Sequence, residues 1–324
     1  MRALRCHAFG PVGHLALEEI ASPTPGPHQA VVSVKAAAVN FPDTLIVQGK
    51  YQIKPELPFT PGGEYAGVVK DVGEMVTHVK PGDAVFGVGV TGGFAEEALI
   101  DAANLHPLPA GADFAVAAAL TMAYGTTIHA LKDRGKLVAG ETLLVLGAGG
   151  GVGLAALEIG KLMGATVIAA ASTDAKLDIC HDRGADDVIN YDREDLKERV
   201  RVLTDGRGAD VIYDPVGGGY TAAASRSVAW NGRYLVIGFA AGEIPQIPLN
   251  LPLLKGYSIV GVYWGAFAQR EPAANAANMK QLTDWIAAGK LAPLVSARYP
   301  LEQAVDALFA MMRREVAGKV VIVP

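Results

Sequence analysis

Cysteine is nearly absent from this chain of 324 residues: Cys6 and Cys180 are the only two, far apart in sequence. That excludes a disulfide framework and a cysteine-built structural zinc cluster, both of which need several thiols at short spacing. The seven histidines, at 7, 14, 28, 78, 106, 129 and 181, show no paired ligand spacing, and no metal site is expected. There is no basic tract and the formal net charge is -5, which leaves nothing to recommend nucleic acid or an anionic membrane as partner. No apolar run approaches the ~18 residues of a membrane span, and the first seven residues lack the apolar core of a secretion signal. A cytoplasmic protein is expected. Charged residues are scarce, 19% against 51% hydrophobic, which provides ample core and argues against disorder. At ~100–200 residues per domain, the length allows two domains.

What the chain does have is glycine, and it is concentrated where it matters. Residues 142–146 form a short apolar run that ends in Gly147-Ala-Gly-Gly-Gly-Val-Gly153, after which Leu154, Leu157, Glu158 and Lys161 fall at helical spacing. A glycine turn between a buried parallel strand and a helix lets backbone amides and the positive helix end face a phosphate. Gly147, Gly150 and Gly153 recur every third residue, with Gly149 and Gly151 interleaved and Val152 opening the helix. The strict G-x-G-x-x-G register ending at Gly153 would begin at Ala148, so the usual pattern is missed by one residue. Taken alone the motif also fits a glycine-rich helix start that binds nothing.

The texture on either side differs. From residue 1 to about 120, short β-prone runs (15–18, 30–38, 65–72, 84–90, 95–100) are punctuated by Gly and Pro, which predicts a compact antiparallel barrel or sandwich. An alanine-rich helical stretch follows at 114–132, with an interruption expected near Gly125. Strand and helix then alternate: strands at 167–171, 187–189, 211–213, 233–238 and 258–262, helices at 174–183, 193–203 and 220–228. Such alternation predicts a doubly wound parallel sheet. Residues 245–250 read as an extended connector, 274–288 and 301–313 as helices, and 319–323 as a terminal strand. The expected α/β architecture is a β-rich domain at 1–121, a nucleotide-binding domain at 122–262, and a return to the first domain at 263–324.

Six motifs lie in order across nearly the whole chain: Val39-Asn-Phe-Pro-Asp43, Pro61-Gly-Gly-Glu-Tyr-Ala-Gly67, the 147–153 turn, Gly184-Ala-Asp-Asp-Val-Ile-Asn-Tyr191, Asp214-Pro-Val-Gly217 and Gly318-Lys-Val-Val-Ile322. On these the sequence resembles the medium-chain dehydrogenases/reductases, in their zinc-independent quinone oxidoreductase (zeta-crystallin-like) branch. The resemblance implies a GroES-like catalytic domain, a Rossmann domain, a substrate cleft between them, and a homodimer paired along the strand at 258–262. In zinc-dependent relatives a Cys falls where Asn40 stands here and a His where Gly63 stands. Asn and Gly cannot replace thiolate and imidazole, and only Glu64 remains, read as a structural carboxylate.

Without a Lewis acid, oxidising a simple alcohol is hard, whereas a quinone or conjugated carbonyl accepts hydride readily and spreads its charge onto oxygen. The resemblance implies Tyr51 and Asn40 at the acceptor site and Thr127 near a nicotinamide, each against the alternative of ordinary packing. About 20 residues past the glycines, where an NAD-selective enzyme places Asp or Glu, stands Ser172. Small and neutral, it leaves room for a 2′-phosphate, and Lys176 supplies positive charge; Asp174 is discordant unless it points away. NADPH is therefore the expected cofactor. Tyr191 matches a tyrosine beside the adenosine phosphate, Gly217 belongs to a ligand-facing loop, Gly238 and Phe239 match residues along the nicotinamide ribose, and Arg314 and Lys319 match basic positions near cofactor phosphate in some relatives. Tyr263 and Trp264 are open between cofactor cover and packing. The expected activity is NADPH-dependent quinone reduction, the alternatives being reduction of an enone, enal or enoyl-thioester double bond, and a non-catalytic NADPH-binding protein.

Overall fold

The apolar run before the glycines is the strand Thr142–Leu146, every residue of it buried. In the computed structural model, which describes residues 1–109 and 111–324, it lies inside a six-stranded sheet. The strands run in the order Asp187–Asn190, Thr166–Ala171, Thr142–Leu146, Ala209–Asp214, Val228–Val236 and Ser258–Gly261. All five pairings are parallel. In chain order this is 3-2-1-4-5-6, and the order reverses between Thr142–Leu146 and Ala209–Asp214, where open parallel sheets hold ligands at the carboxyl ends of their strands. Burial on both faces explains why the central strand, Thr142 apart, is apolar instead of alternating.

Two compact units are present, Met1–Met122 with Pro293–Pro324, and Ala123–Ala292. The first is discontinuous, as expected, but the second boundary lies thirty residues beyond the expected 262/263. The physical reason is packing by the helices Trp264–Arg270 and Pro272–Ala287. Phe267 stacks on His129 with centroids 3.8 Å apart, and Lys132 Nζ and Asp133 Oδ2 both bond the Asn278 amide, at 2.9 and 2.8 Å. These helices therefore complete the second unit. Gly125 does not interrupt a helix either. It lies within Thr121–Ile128, where a Cβ would stand 3.0 Å from Trp264 Cε2, and the break falls earlier, after the short helix Phe114–Ala118.

The first unit is built on the ten-residue strand Gln29–Ala38, which pairs antiparallel with Glu64–Val72, Glu97–Asp101 and the terminal strand Lys319–Val323. The chain end is thereby a sheet member. Val295–Pro300, absent from the sequence reading, pairs parallel with Lys319–Val323 and alternates half-buried and exposed residues. The helix Asn250–Lys255 stands where the extended connector was expected to end, and none of its residues is buried.

Candidate functional site

The glycine turn is enforced by contact. Gly147 has φ 58°, and a Cβ on it would lie 2.8 Å from Val216 Cγ2. At Gly153 a Cβ would stand 2.3 Å from the Gly147 carbonyl oxygen and 2.7 Å from Ala148 Cα, so only glycine lets the helix rest on the turn. The helix Gly151–Leu162 starts from Gly150 as its N-cap. Its first-turn amides, among them Gly151, Val152 and Gly153, have no intrahelical acceptor and meet the positive end of the helix dipole. At Gly149 a Cβ would meet the Lys176 stem at 2.7 Å, which places Lys176 beside the turn.

Ser172, partly exposed, follows the end of strand Thr166–Ala171. Thr173, not Asp174, caps the next helix, its hydroxyl accepting from the Lys176 amide. Asp174 turns to its own partners: it accepts from the Asn190 amide at 2.5 Å and pairs with Arg193 at 2.6 Å. The charge that was discordant in the sequence is thus answered locally by Arg193, a residue the sequence reading passed over. Tyr191 lies against Tyr220 with ring centroids 4.2 Å apart, and the Tyr220 hydroxyl donates to Asp192. Tyr220 carried no sequence signal beyond heading a helix.

Asp214 explains its motif. One oxygen accepts from the amides of Val216 and Gly217 at 2.8 and 2.9 Å, and the other from the hydroxyls of Thr221 and Tyr234 at 3.2 and 2.5 Å. Gly217 has φ 65°, and a Cβ on it would lie 2.9 Å from the Phe239 ring. The amides of Ala240 and Ala241 bond the carbonyls of Pro215 and Val216, which zips the loop carrying Gly238 and Phe239 onto this one. Thr127 is fully buried, its hydroxyl donating to Ala123 O at 2.8 Å and sharing a bond with Tyr213 at 2.9 Å. It fastens its helix to strand Ala209–Asp214. Thr126, one residue earlier, is partly exposed.

Asn40 belongs to the first unit, in a buried polar cluster. Its Nδ2 donates to Glu64 Oε2 at 3.0 Å and its Oδ1 accepts from Lys319 Nζ at 2.5 Å. Lys319 also reaches Glu64 Oε2 at 3.2 Å, and Glu64 Oε1 accepts from the Met122 amide at 2.7 Å. The reading of Glu64 as a structural carboxylate agrees with this, and the Lys319 ammonium is buried against it. Asp43, in the first turn of helix Phe41–Val47, accepts from the amides of Asn40 and Gly63. Tyr51, partly buried, packs on the core of this unit. Arg314 also belongs to it, at φ 58° on an exposed turn. Of the two open aromatics, Trp264 is core, donating to Asn275 at 3.0 Å, whereas Tyr263 is exposed and lines a cavity of about 400 Å³ with His129, Arg134, Phe267 and Glu271.

Residues 26–110 match the alcohol dehydrogenase GroES-like domain family and residues 151–286 the zinc-binding dehydrogenase family. The class is thus a two-unit dehydrogenase/reductase. The chain is 41% identical to a quinone oxidoreductase-like protein 2 homolog of Nematostella vectensis, over 99% of this chain and 88% of that one. Escherichia coli quinone oxidoreductase complexed with NADPH superposes with a TM-score of 0.93 at 29% identity, covering all of both chains. The CurK enoyl reductase does so at 0.90 and 25%, over 99% and 98%. The chain belongs to the quinone oxidoreductase branch of the medium-chain dehydrogenase/reductase family.

The residues present do not fit the zinc of that wider family. Gly63 offers no ligand, and a Cβ there would lie 3.0 Å from the Gly89 carbonyl; Asn40 has both amide atoms engaged, and the nearest cation is Lys319. Among the described residues no three His, Cys, Asp or Glu side chains are grouped to hold a metal.

One titration follows from the cluster. Burial pushes Asp43 up from 3.8 to about 7, against the pull of two backbone amides and Lys319. The folded state then keeps a proton that the unfolded chain loses near 3.8, and Asp43 costs stability as pH rises through that window. Relative to wild type, Asp43→Asn should gain on the order of 2–4 kcal/mol between pH 4 and pH 7.5. Urea unfolding at the two pH values checks it; a constant difference between the proteins would refute the assignment.

Proposed function

We propose that the protein is an NADPH-dependent oxidoreductase that reduces a quinone by metal-independent hydride transfer. The observation that carries the cofactor choice is at the end of the second strand, where Ser172 is small and neutral, Lys176 lies beside the turn, and Asp174 is held by Arg193 and Asn190. A 2′-phosphate there meets cationic side chains instead of an unanswered carboxylate. The E. coli relative complexed with NADPH supports the same choice.

When bound, NADPH supplies a hydride from its nicotinamide. The turn amides of residues 147–153 would hold its pyrophosphate, Tyr191 would flank the adenosine side, and Gly217, Gly238 and Phe239 would shape the nicotinamide side. Thr127 serves by fastening its helix to Tyr213, and Asn40 by bracing its pocket. The Tyr51 phenol donates to or stacks on the acceptor, whose own conjugation takes the charge a metal would otherwise stabilise. Reduction of a conjugated double bond is the second reading, favoured by the likeness to an enoyl reductase.

NADPH consumption against a panel of quinones, enones and enoyl thioesters, with product identification, separates the readings. Dihydroquinone formation supports the first, saturated carbonyl products the second, and tight NADPH binding with no turnover would leave only a binding role. Lys176→Ala should lower kcat/KM for NADPH about tenfold and leave that for NADH unchanged. Equal effects on both would remove Lys176 from phosphate recognition.

A homodimer completes the proposal. Among the described residues the strand Ser258–Gly261 is paired on one side only, and Ile244, Leu249, Leu253 and Leu254 are exposed apolar side chains on the same unit. An open strand edge and exposed apolar side chains are each features that a second copy covers. Sedimentation should give twice the 33.7 kDa chain mass, and Leu253→Asp/Leu254→Asp should shift it to monomer; an unshifted variant would place the interface elsewhere.

A further inference from the structure

Where the motif Gly184-Ala-Asp-Asp-Val-Ile-Asn-Tyr191 begins, the chain leaves the helix Asp174–Asp182 and is tied twice to the helix Gly151–Leu162. Arg183, the C-cap residue, donates through Nη1 to Glu158 Oε1 and to the Ala292 carbonyl, both at 2.5 Å. The other Glu158 oxygen accepts from the Tyr124 hydroxyl at 2.8 Å, and Tyr124 is buried on the helix that carries Thr127. One turn further on, the Lys161 ammonium reaches both oxygens of Asp186 at 2.7 Å, and Asp186 also accepts from the Val167 amide. The two ties differ in strength. The Glu158 and Arg183 side chains are 9% and 23% exposed, those of Lys161 and Asp186 35% and 37%. Taking the cation from a buried carboxylate is costly, whereas an exposed pair contributes little. At the other end of the helix Asp174–Asp182, the pair of Asp174 with Arg193 is more exposed still. The Arg183–Glu158 pair is therefore the firmest polar anchor of that helix.

Lys176 and Arg183 are seven residues apart, two helical turns, so they project from one face about 10 Å from each other. Cys180, fully buried, lies between them on the same face. Both ends of this face meet the glycine turn and the helix that follows it. The Lys176 stem fills the space of a Cβ at Gly149, at 2.7 Å, and Arg183 holds Glu158 further along.

We propose that the Arg183–Glu158 pair is a specificity-determining latch: it fixes where the helix Asp174–Asp182 stands along Gly151–Leu162, and so holds Lys176 beside the glycine turn in reach of a 2′-phosphate. Arg183 and Glu158 are positioning residues that act through Lys176 and not on the cofactor. This role rests on the reading of Lys176 as the partner of the 2′-phosphate. A helix released at its Arg183 end is free to slide or tilt, and a hydrogen bond from Lys176 weakens steeply once distance and angle are lost.

The test is the ratio of the NADH and NADPH dissociation constants, measured by titration calorimetry on the full chain with no acceptor present. Wild type, Lys176→Ala, Arg183→Met and the double variant are compared. Arg183→Met should lower the preference for NADPH about fivefold in the wild-type background and less than about twofold in the Lys176→Ala background. A general loss of stability, or of a distant positive charge, would act alike in both backgrounds. An equal effect in both, or no effect of Arg183→Met where Lys176→Ala lowers the preference, overturns the latch and leaves the cofactor reading standing. A wild type that binds both cofactors alike, with Lys176→Ala silent, overturns the cofactor reading and the latch with it. If Arg183→Met fails to fold, Glu158→Gln, which keeps the volume and removes the charge, is compared in the same two backgrounds. Its effect should again be confined to the chain that retains Lys176, and persistence without Lys176 would contradict the latch.

Discussion

The nucleotide-binding unit depends on one close approach, that of Gly153 to the carbonyl of Gly147. Because no side chain intervenes, the first turn of the helix Gly151–Leu162 lies directly on the end of the buried central strand. Its free amides and positive dipole end therefore stand at the point where the strand order reverses. The neighbouring loops are held in register by a second device, the Asp214 carboxylate, which takes two backbone amides and two hydroxyls. Lys176 and the Phe239 loop are positioned by glycines, at 149 and 217, whose missing Cβ atoms make room for them. The turn and its flanking loops are accordingly shaped by steric permissions and backed by one buried acid.

The first unit solves a different problem. Its buried polar cluster, Asn40 with Glu64, is closed by the chain's own end. The terminal strand lies next to Gln29–Ala38, and this register carries Lys319 into the pocket. The same pairing makes the unit discontinuous, so one feature accounts for both the topology and the chemistry.

Much of this was legible in the sequence, because it rests on local signals. The strand, glycine turn and helix at 142–161, the parallel alternation after it, and the return of the chain end to the first unit all depend on spacing, glycine and apolar runs. Asp174 was ambiguous for a physical reason: its partners, Asn190 and Arg193, come from the next strand and the turn beyond it. The displaced boundary at 262/263 failed similarly. The helices after it are held by the Phe267–His129 stack and the Asn278 amide, contacts between residues more than a hundred apart. Gly125 read as a break because glycine weakens helices; nothing local announced that an indole would occupy the space of its missing side chain. Lys319 lay within a recognised motif but gave no sign of facing inward, since its partners are 279 and 255 residues away.

The proposed activity is hydride transfer from NADPH to a quinone without a metal. The most direct measurement is quinone-dependent NADPH oxidation by protein dialysed against a strong chelator, with metal content determined on the same sample. Turnover should be unchanged in protein holding well under one metal ion per chain, and added ZnCl2 should not raise it. Loss of turnover on chelation, restored stoichiometrically by zinc, would contradict it.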